Sequence, residues 1–316
     1  MAEELKLAIA QIKPAWLNRF QTLARIADAI EEAAAQGAEL VAFGEALVPG
    51  YPFWVERTDG ARFEDARQKA LYAHYLAEAV CIEAGHLNAI TALAARYRLA
   101  VVLGIIERPQ DRGGHSLYCA RVYIEPDGRI GSIHRKLVPT YEERLVWAPG
   151  DGHGLVVHRL GAFTVGALNC WENWMPLARA ALYAQGEDLH IALWPGGLHN
   201  TPDITRHIAR ESRSYVLSVS GLMHADDISP ALPHYDVLAA ASSGWLANGG
   251  SCLAGPDGQW LVEPVIEKEF VKTVRIEHAR VRAERLCLDV SGHYARPDVL
   301  SLNLNSERQG VLKRPD

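Results

Sequence analysis

The chain has 316 residues, enough to bury a sizeable core in one large domain or two smaller ones, and its 32 basic and 38 acidic residues leave a net charge of -6. No cluster of Lys and Arg is long enough to track a phosphate backbone, which argues against nucleic acid as a partner, and no apolar run approaches the roughly 18 residues of a membrane span. Five dispersed cysteines (81, 119, 170, 252 and 287) without a C-x-x-C pair argue against a disulfide framework or a thiolate zinc site, and the acidic start lacks the positive charge of a secretory signal, so a cytoplasmic protein is expected.

Lys6 to Gln11 reads as a short apolar strand, and Arg19 to Gln36 carries apolar residues at helical spacing until Gly37 stops it. Glu39 to Phe43 predicts a second strand, and strand, helix, strand with short links implies a parallel pair. Its exit places Glu45 at a carboxyl strand end, where open α/β sheets keep their sites, although a surface carboxylate would look the same. Glu56 to Arg98 is mostly helical in pattern, and Leu99 to Ile106 is a continuous β-branched run, the mark of a strand covered on both faces. Leu117 to Ile124 and Ile130 to His134 flank an Asp-Gly turn at 127 and 128, which predicts a hairpin. Lys136 follows in a loop-like stretch, rich in Pro and Gly, that runs to Gly152.

Phe163 to Leu168 predicts a buried strand paired with Leu155 to Arg159, and after Pro176 the apolar residues 177, 180, 181 and 184 return to helical spacing. Cys170 therefore sits at a strand-to-helix turn, with the helix expected to begin near Asn173 as its cap. Unpaired N-H groups and the positive dipole end there would lower a thiol pKa. A free Cys is also a common inert core residue, and the turn alone does not decide between the two. Leu189 to Trp194, Tyr215 to Ser220 and Phe270 to Ile276 read as further strands, 204 to 214 and 279 to 285 as helices, and a second Asp-Gly hairpin turns at 257 and 258. From Leu288 the chain loses apolar periodicity and is expected to lie on a neighbour or hang free.

The order strand, helix, Gly, strand, with an Asp-Gly hairpin later, occurs twice. Two similar halves are inferred, each a mixed sheet with helices on one face. If their bare faces meet, the fold is an α/β four-layer α-β-β-α sandwich, with the active site at the strand ends of one half. Residues 1–300 are read as one domain of two pseudo-symmetric halves and 301–316 as a tail.

Three stretches now stand together: Phe-Gly-Glu45-Ala with Pro-Gly-Tyr-Pro after it; His-Arg-Lys136-Leu-Val-Pro-Thr, running on to Glu143-Arg and Trp-Ala-Pro-Gly-Asp-Gly; and Asn-Cys170-Trp-Glu-Asn. In this order they resemble the nitrilase, or carbon-nitrogen hydrolase, superfamily, from residue 6 to about 300. The resemblance implies the four-layer sandwich and a Glu-Lys-Cys triad. In that triad Cys170 is the nucleophile, Glu45 the general base, and Lys136 with the Trp171 backbone N-H the partner of developing charge. Glu143, rather than Glu142, matches the family's second glutamate beside the lysine. Cys-Trp-Glu and Lys-Leu-x-Pro-Thr look like the true nitrilase branch, which converts an organic nitrile and water to a carboxylic acid and ammonia with no metal or organic cofactor. An amidase, carbamoylase or cyanide-degrading enzyme of the same fold is the alternative, and a catalytically silent scaffold a more remote one. Tyr51, Trp54, Trp171 and Trp194 fall beside the motifs, where they could line an apolar pocket or serve as plain core. The resemblance also implies a homodimer or larger homo-oligomer, with contact through residues 176 to 220.

Overall fold

The computed structural model describes residues 3–312. The first half supplies strands β1 (Glu4–Gln11), β2 (Leu40–Phe43), β3 (Ala100–Glu107), β4 (Tyr118–Ile124) and β5 (Ile130–Arg135). Between them lie helices α1 (Arg19–Ala35), α2 (Trp54–Arg57), α3 (Ala66–Glu78) and α4 (Asn88–Tyr97). The second half supplies β6 (His158–Leu160), β7 (Phe163–Asn169), β8 (Leu189–Trp194), β9 (Tyr215–Ser220), β10 (Leu222–His224), β11 (Trp245–Ala254) and β12 (Trp260–Ile266), with α5 (Pro176–Tyr183), α6 (Pro202–Ser212) and α7 (Tyr235–Ala240). Strand β13 (Phe270–Glu277) then returns to the first sheet, and α8 (His278–Arg285) follows it.

The two sheets repeat one pairing scheme. Strands β1, β2 and β3 run parallel, and β4 and β5 continue antiparallel; β7, β8 and β9 run parallel, and β11 and β12 continue antiparallel. Each leading strand also carries an antiparallel neighbour, β13 on β1 and β6 on β7. Alternation along a strand sorts the layers. Leu5, Leu7 and Ile9 pack with Val165, Ile191 and Leu217 between the sheets, whereas Ala8 and Ala10 join Ile26, Ile30 and Ile90 of α1 and α4. On the far side, Ile204 and Ile208 of α6 cover Ala192, Trp194 and Val216. The result is the expected α-β-β-α sandwich.

Local details differ from the sequence reading. The helix after Cys170 does not begin at Asn173. Residues Cys170–Trp174 form a short 3-10 turn and α5 starts at Pro176, because the residue before a proline is pushed to extended backbone, as Met175 is at ψ 108°. The region from 56 to 98 is three separate helices. Near its end the tail docks on the chain's own surface. Arg308 Nη1 and the Gln309 N-H donate to Asp151, at 2.9 and 3.0 Å, and Gln309 Nε2 donates to the Gly150 carbonyl at 2.9 Å. Among the described residues, no helix is long and apolar enough to cross a membrane.

Candidate active site

Glu45 follows β2 directly. A Cβ on the preceding Gly44 would lie 2.7 Å from the Gly221 nitrogen and 3.0 Å from the Trp194 carbonyl oxygen, so glycine is required where the ends of the two sheets touch. The Glu45 N-H donates to that same Trp194 carbonyl at 3.0 Å. Lys136 follows β5 and is pinned on both sides of its backbone: its N-H donates to the Cys119 carbonyl at 2.8 Å, and its carbonyl accepts from the Gly150 N-H at 2.7 Å. Cys170 follows β7 with φ 46°, a left-handed conformation that costs a non-glycine residue about 1–3 kcal/mol. The site therefore does not belong to the strand ends of one half. It takes Glu45 and Lys136 from the first sheet and Cys170 from the second, meeting where the sheets' ends converge.

The side chains meet as a buried charge cluster. Lys136 Nζ lies 3.0 Å from Glu45 Oε1 and 2.7 Å from Glu143 Oε2, with all three side chains at most 1% exposed. Donor atoms of Glu45, Glu143 and Cys170 all lie within 4.8 Å of one another. Two carboxylates and a thiol could hold a cation, and here the ammonium of Lys136 supplies that positive charge. Glu143 sits in a 3-10 turn, Tyr141–Leu145, and its Oε2 also takes the Thr140 N-H at 2.6 Å, so the turn's own capping aims the carboxylate at the lysine. Tyr51 donates its hydroxyl to Glu143 Oε1 at 3.0 Å and reaches Glu142 Oε1 at 3.2 Å.

Burial pushes the Glu45 carboxyl up to about 7, against the pull of Lys136 and with help from Glu143. A base of that pKa can accept a proton near neutrality and return it. Burial disfavours the Lys136 ammonium, but the Cys170, Glu45 and Glu143 groups around it outweigh this and hold it well above the usual lysine value. A helix start would lower the Cys170 thiol, as the sequence suggests. Burial instead pushes it well above its ordinary value, although Lys136 and a hydrogen bond from the Trp171 N-H pull it down. The cluster thus sets a thiol whose pKa is raised by burial beside a carboxyl group near 7 and an ammonium held charged.

Of the four aromatic residues singled out in the sequence, the structure brings one side chain to this cluster, Tyr51 through its hydroxyl. The Trp171 ring is half exposed and lies 6.3 Å from that of Trp174. Trp54 packs instead into the core against Tyr75 and Trp16. Trp194 is fully buried, with its indole N-H on the Ser218 hydroxyl at 3.1 Å, in the apolar cluster that backs Cys170. A small cavity beside Glu45 is lined by Pro14, Tyr51, Phe53, Pro195, Leu222 and Met223.

Sequence reasoning missed two groups at the site. The buried Cys119 is one: burial and the neighbouring Glu45 charge push its thiol well above the ordinary value. Glu172 accepts from the Leu137 N-H at 2.7 Å and from the Asn169 N-H at 2.9 Å, which ties the residue after Lys136 to the residue before Cys170. His134 Nε2 completes its shell at 3.0 Å. The spacing Asn169-x-x-Glu172 is a capping signature and could have flagged the second bond; nothing in the spacing flags the first.

The chain from residue 6 to 285 matches the family model for carbon-nitrogen hydrolases. A protein from an unknown prokaryotic organism, named nitrilase 2, is 34% identical over 98% of this chain and 96% of its own length. An arylacetonitrilase of Aspergillus kawachii is 33% identical over 99% of this chain and 94% of its own. The crystal structure of a carbon-nitrogen hydrolase from Helicobacter pylori G27 superposes with a TM-score of 0.69 at 18% identity, covering 93% of this chain and 96% of that one, a likeness of fold. Sequence similarity across nearly the whole length and a shared fold agree with the motifs: this chain belongs to the carbon-nitrogen hydrolase family.

Proposed function

We propose that the protein is a nitrilase, which hydrolyses an organic nitrile to the carboxylic acid and ammonia. The observation that carries this is the buried cluster in which Lys136 bridges Glu45 and Glu143 within reach of Cys170. Glu45 takes the Cys170 proton as sulfur attacks the nitrile carbon, and the nitrogen gains a proton to give a thioimidate. Lys136 and the Trp171 N-H meet the charge that develops on that nitrogen. Glu45 then deprotonates water for addition to the thioimidate carbon, the carbon-nitrogen bond breaks with release of ammonia, and a thioester remains. A second water, activated the same way, yields the acid and restores the thiol. Glu143 holds Lys136 charged and in place, and Tyr51 holds Glu143. Tyr51 and Trp171 border the substrate; Trp54 and Trp194 support it from the core.

A homo-oligomer with contact through residues 176 to 220 belongs to the same reading, supported by the exposed apolar side chains Trp174 and Leu177 at its edge. Five free cysteines, including the nucleophile, suit the reducing cytoplasm. Ammonia release from a panel of aliphatic, arylaceto- and aromatic nitriles, run beside the matching amides, tests the function. Turnover of nitriles that Cys170→Ala abolishes is expected. Release from amides alone would make the enzyme an amidase, and no release from any substrate would remove the reading.

A further inference from the structure

The Cys170–Trp171 peptide is trans, so its carbonyl and its N-H point in opposite directions across one rigid plane. The carbonyl faces into the protein, where Asn173 Nδ2 donates to it at 2.8 Å. The N-H points the other way, on the side from which it pulls the Cys170 pKa down. Whatever fixes the carbonyl therefore aims the N-H.

Asn173 is itself held from two directions. His190 Nε2 donates to its Oδ1 at 2.7 Å, and Arg179 Nη1 donates to its backbone carbonyl at 2.8 Å. His190 Nδ1 in turn meets Glu187 Oε1 at 2.9 Å. Asn173, His190 and Glu187 are all 0% exposed, and a Cβ at Gly166 would come within 1.9 Å of Glu187 Oε1, so glycine is required there to seat this carboxyl. Because Nε2 donates, a second proton must sit between Nδ1 and Glu187. The pair is neutral whichever atom carries that proton, as a group so deeply buried requires. None of the three touches the charge cluster, and a chain of full-strength hydrogen bonds running to the nucleophile's own carbonyl is more than a local turn needs.

We propose that Asn173, His190 and Glu187 form a positioning relay that fixes the Cys170–Trp171 peptide plane and so aims the Trp171 N-H at the charge developing during attack. The proposal rests on the nitrilase reading for its substrate but not for its geometry. The relay keeps Cys170 in its left-handed conformation and keeps the donor preorganised, which is where such donors gain their effect.

The test compares Asn173→Ala, Glu187→Ala and Glu187→Gln with wild type. The readouts are nitrile turnover and the rate at which iodoacetamide alkylates Cys170, followed on the Cys170 peptide by mass spectrometry because the exposed Cys287 would react too. Asn173→Ala is expected to lower kcat by about 10- to 100-fold with KM changed less than about twofold, and to slow alkylation about tenfold. Glu187→Ala should act in the same direction. Glu187→Gln, whose amide N-H can donate to His190 Nδ1, should recover most of both rates. Rates for Asn173→Ala within about twofold of wild type overturn the relay, as does a Glu187→Gln loss equal to that of Glu187→Ala, or losses that follow the folded fraction alone. If Asn173→Ala does not fold, the two Glu187 variants decide by the same criteria. If wild type turns over no nitrile, the functional reading falls, while the alkylation rates still decide the relay.

Discussion

Two glutamates occupy the same local position in this molecule and do different work. Glu143 and Glu172 each sit at the third residue of a short 3-10 turn, and each reaches back to the N-H of the residue that caps it, Thr140 at 2.6 Å and Asn169 at 2.9 Å. Their remaining capacity goes to different partners. Glu143 meets an ammonium and a phenol, Lys136 and Tyr51, and becomes part of the charge cluster. Glu172 meets a backbone N-H and an imidazole, Leu137 and His134, and its carboxyl is held below the usual range: burial opposes ionisation, but His134 and the two N-H donors outweigh it. The turn decides where a carboxylate points, and the strand that ends opposite decides what it is for.

Substitutions can break that division of labour. Glu143→Ala, which takes one of two carboxylates from Lys136, should lower kcat per folded molecule roughly 10²- to 10³-fold, as loss of a preorganised electrostatic group does. Glu172→Gln should show the reverse, with a loss of about 3 kcal/mol in denaturant unfolding and a smaller change in kcat per folded molecule. Equal losses of kcat at equal stability would erase the distinction. The pH profile sharpens it further. As the proposed base Glu45 would act in its carboxylate form, so kcat/KM should rise with pH as the site titrates near 7, and activity should be lost below that value. The Glu143 charge helps raise Glu45, so Glu143→Gln should move this acid limb downward, while Glu172→Gln should leave it in place. The smallest effect is expected from Tyr51→Phe, which removes one hydrogen bond from Glu143 and should cost about 0.5–1.5 kcal/mol in kcat/KM, at most about tenfold.

The parts of the site carried by chain-local signals are legible in the amino-acid sequence. A carboxylate after an apolar strand, a lysine leaving a hairpin and a cysteine at a strand exit are placed by periodicity and joined as a triad by the family resemblance, and the layers follow from the doubled order of elements. What is not legible there depends on contacts between distant residues. His190 gives no sign that it serves a residue 17 positions earlier, and Glu172 none that it fixes a loop 35 positions away. Trp54 and Trp194 show the limit from the other side, since an aromatic beside a motif has no sequence mark that separates pocket from core. The docking of the tail is equally silent, because Arg308 and Gln309 hold Asp151 by polar bonds, and polar docking leaves no apolar period.

Strand β13 bears on how the molecule is made. Strand β1 needs a neighbour on each side, and one of them, between Phe270 and Glu277, leaves the ribosome long after it. Through most of synthesis, β1 therefore has an unpaired edge of N-H and C=O groups, with Leu5, Leu7 and Ile9 on a face that the second sheet has yet to cover. The nascent chain must keep this edge shielded until β13 emerges. A shortened chain lacking β13 would leave the same edge open for good, as a template for pairing with another copy.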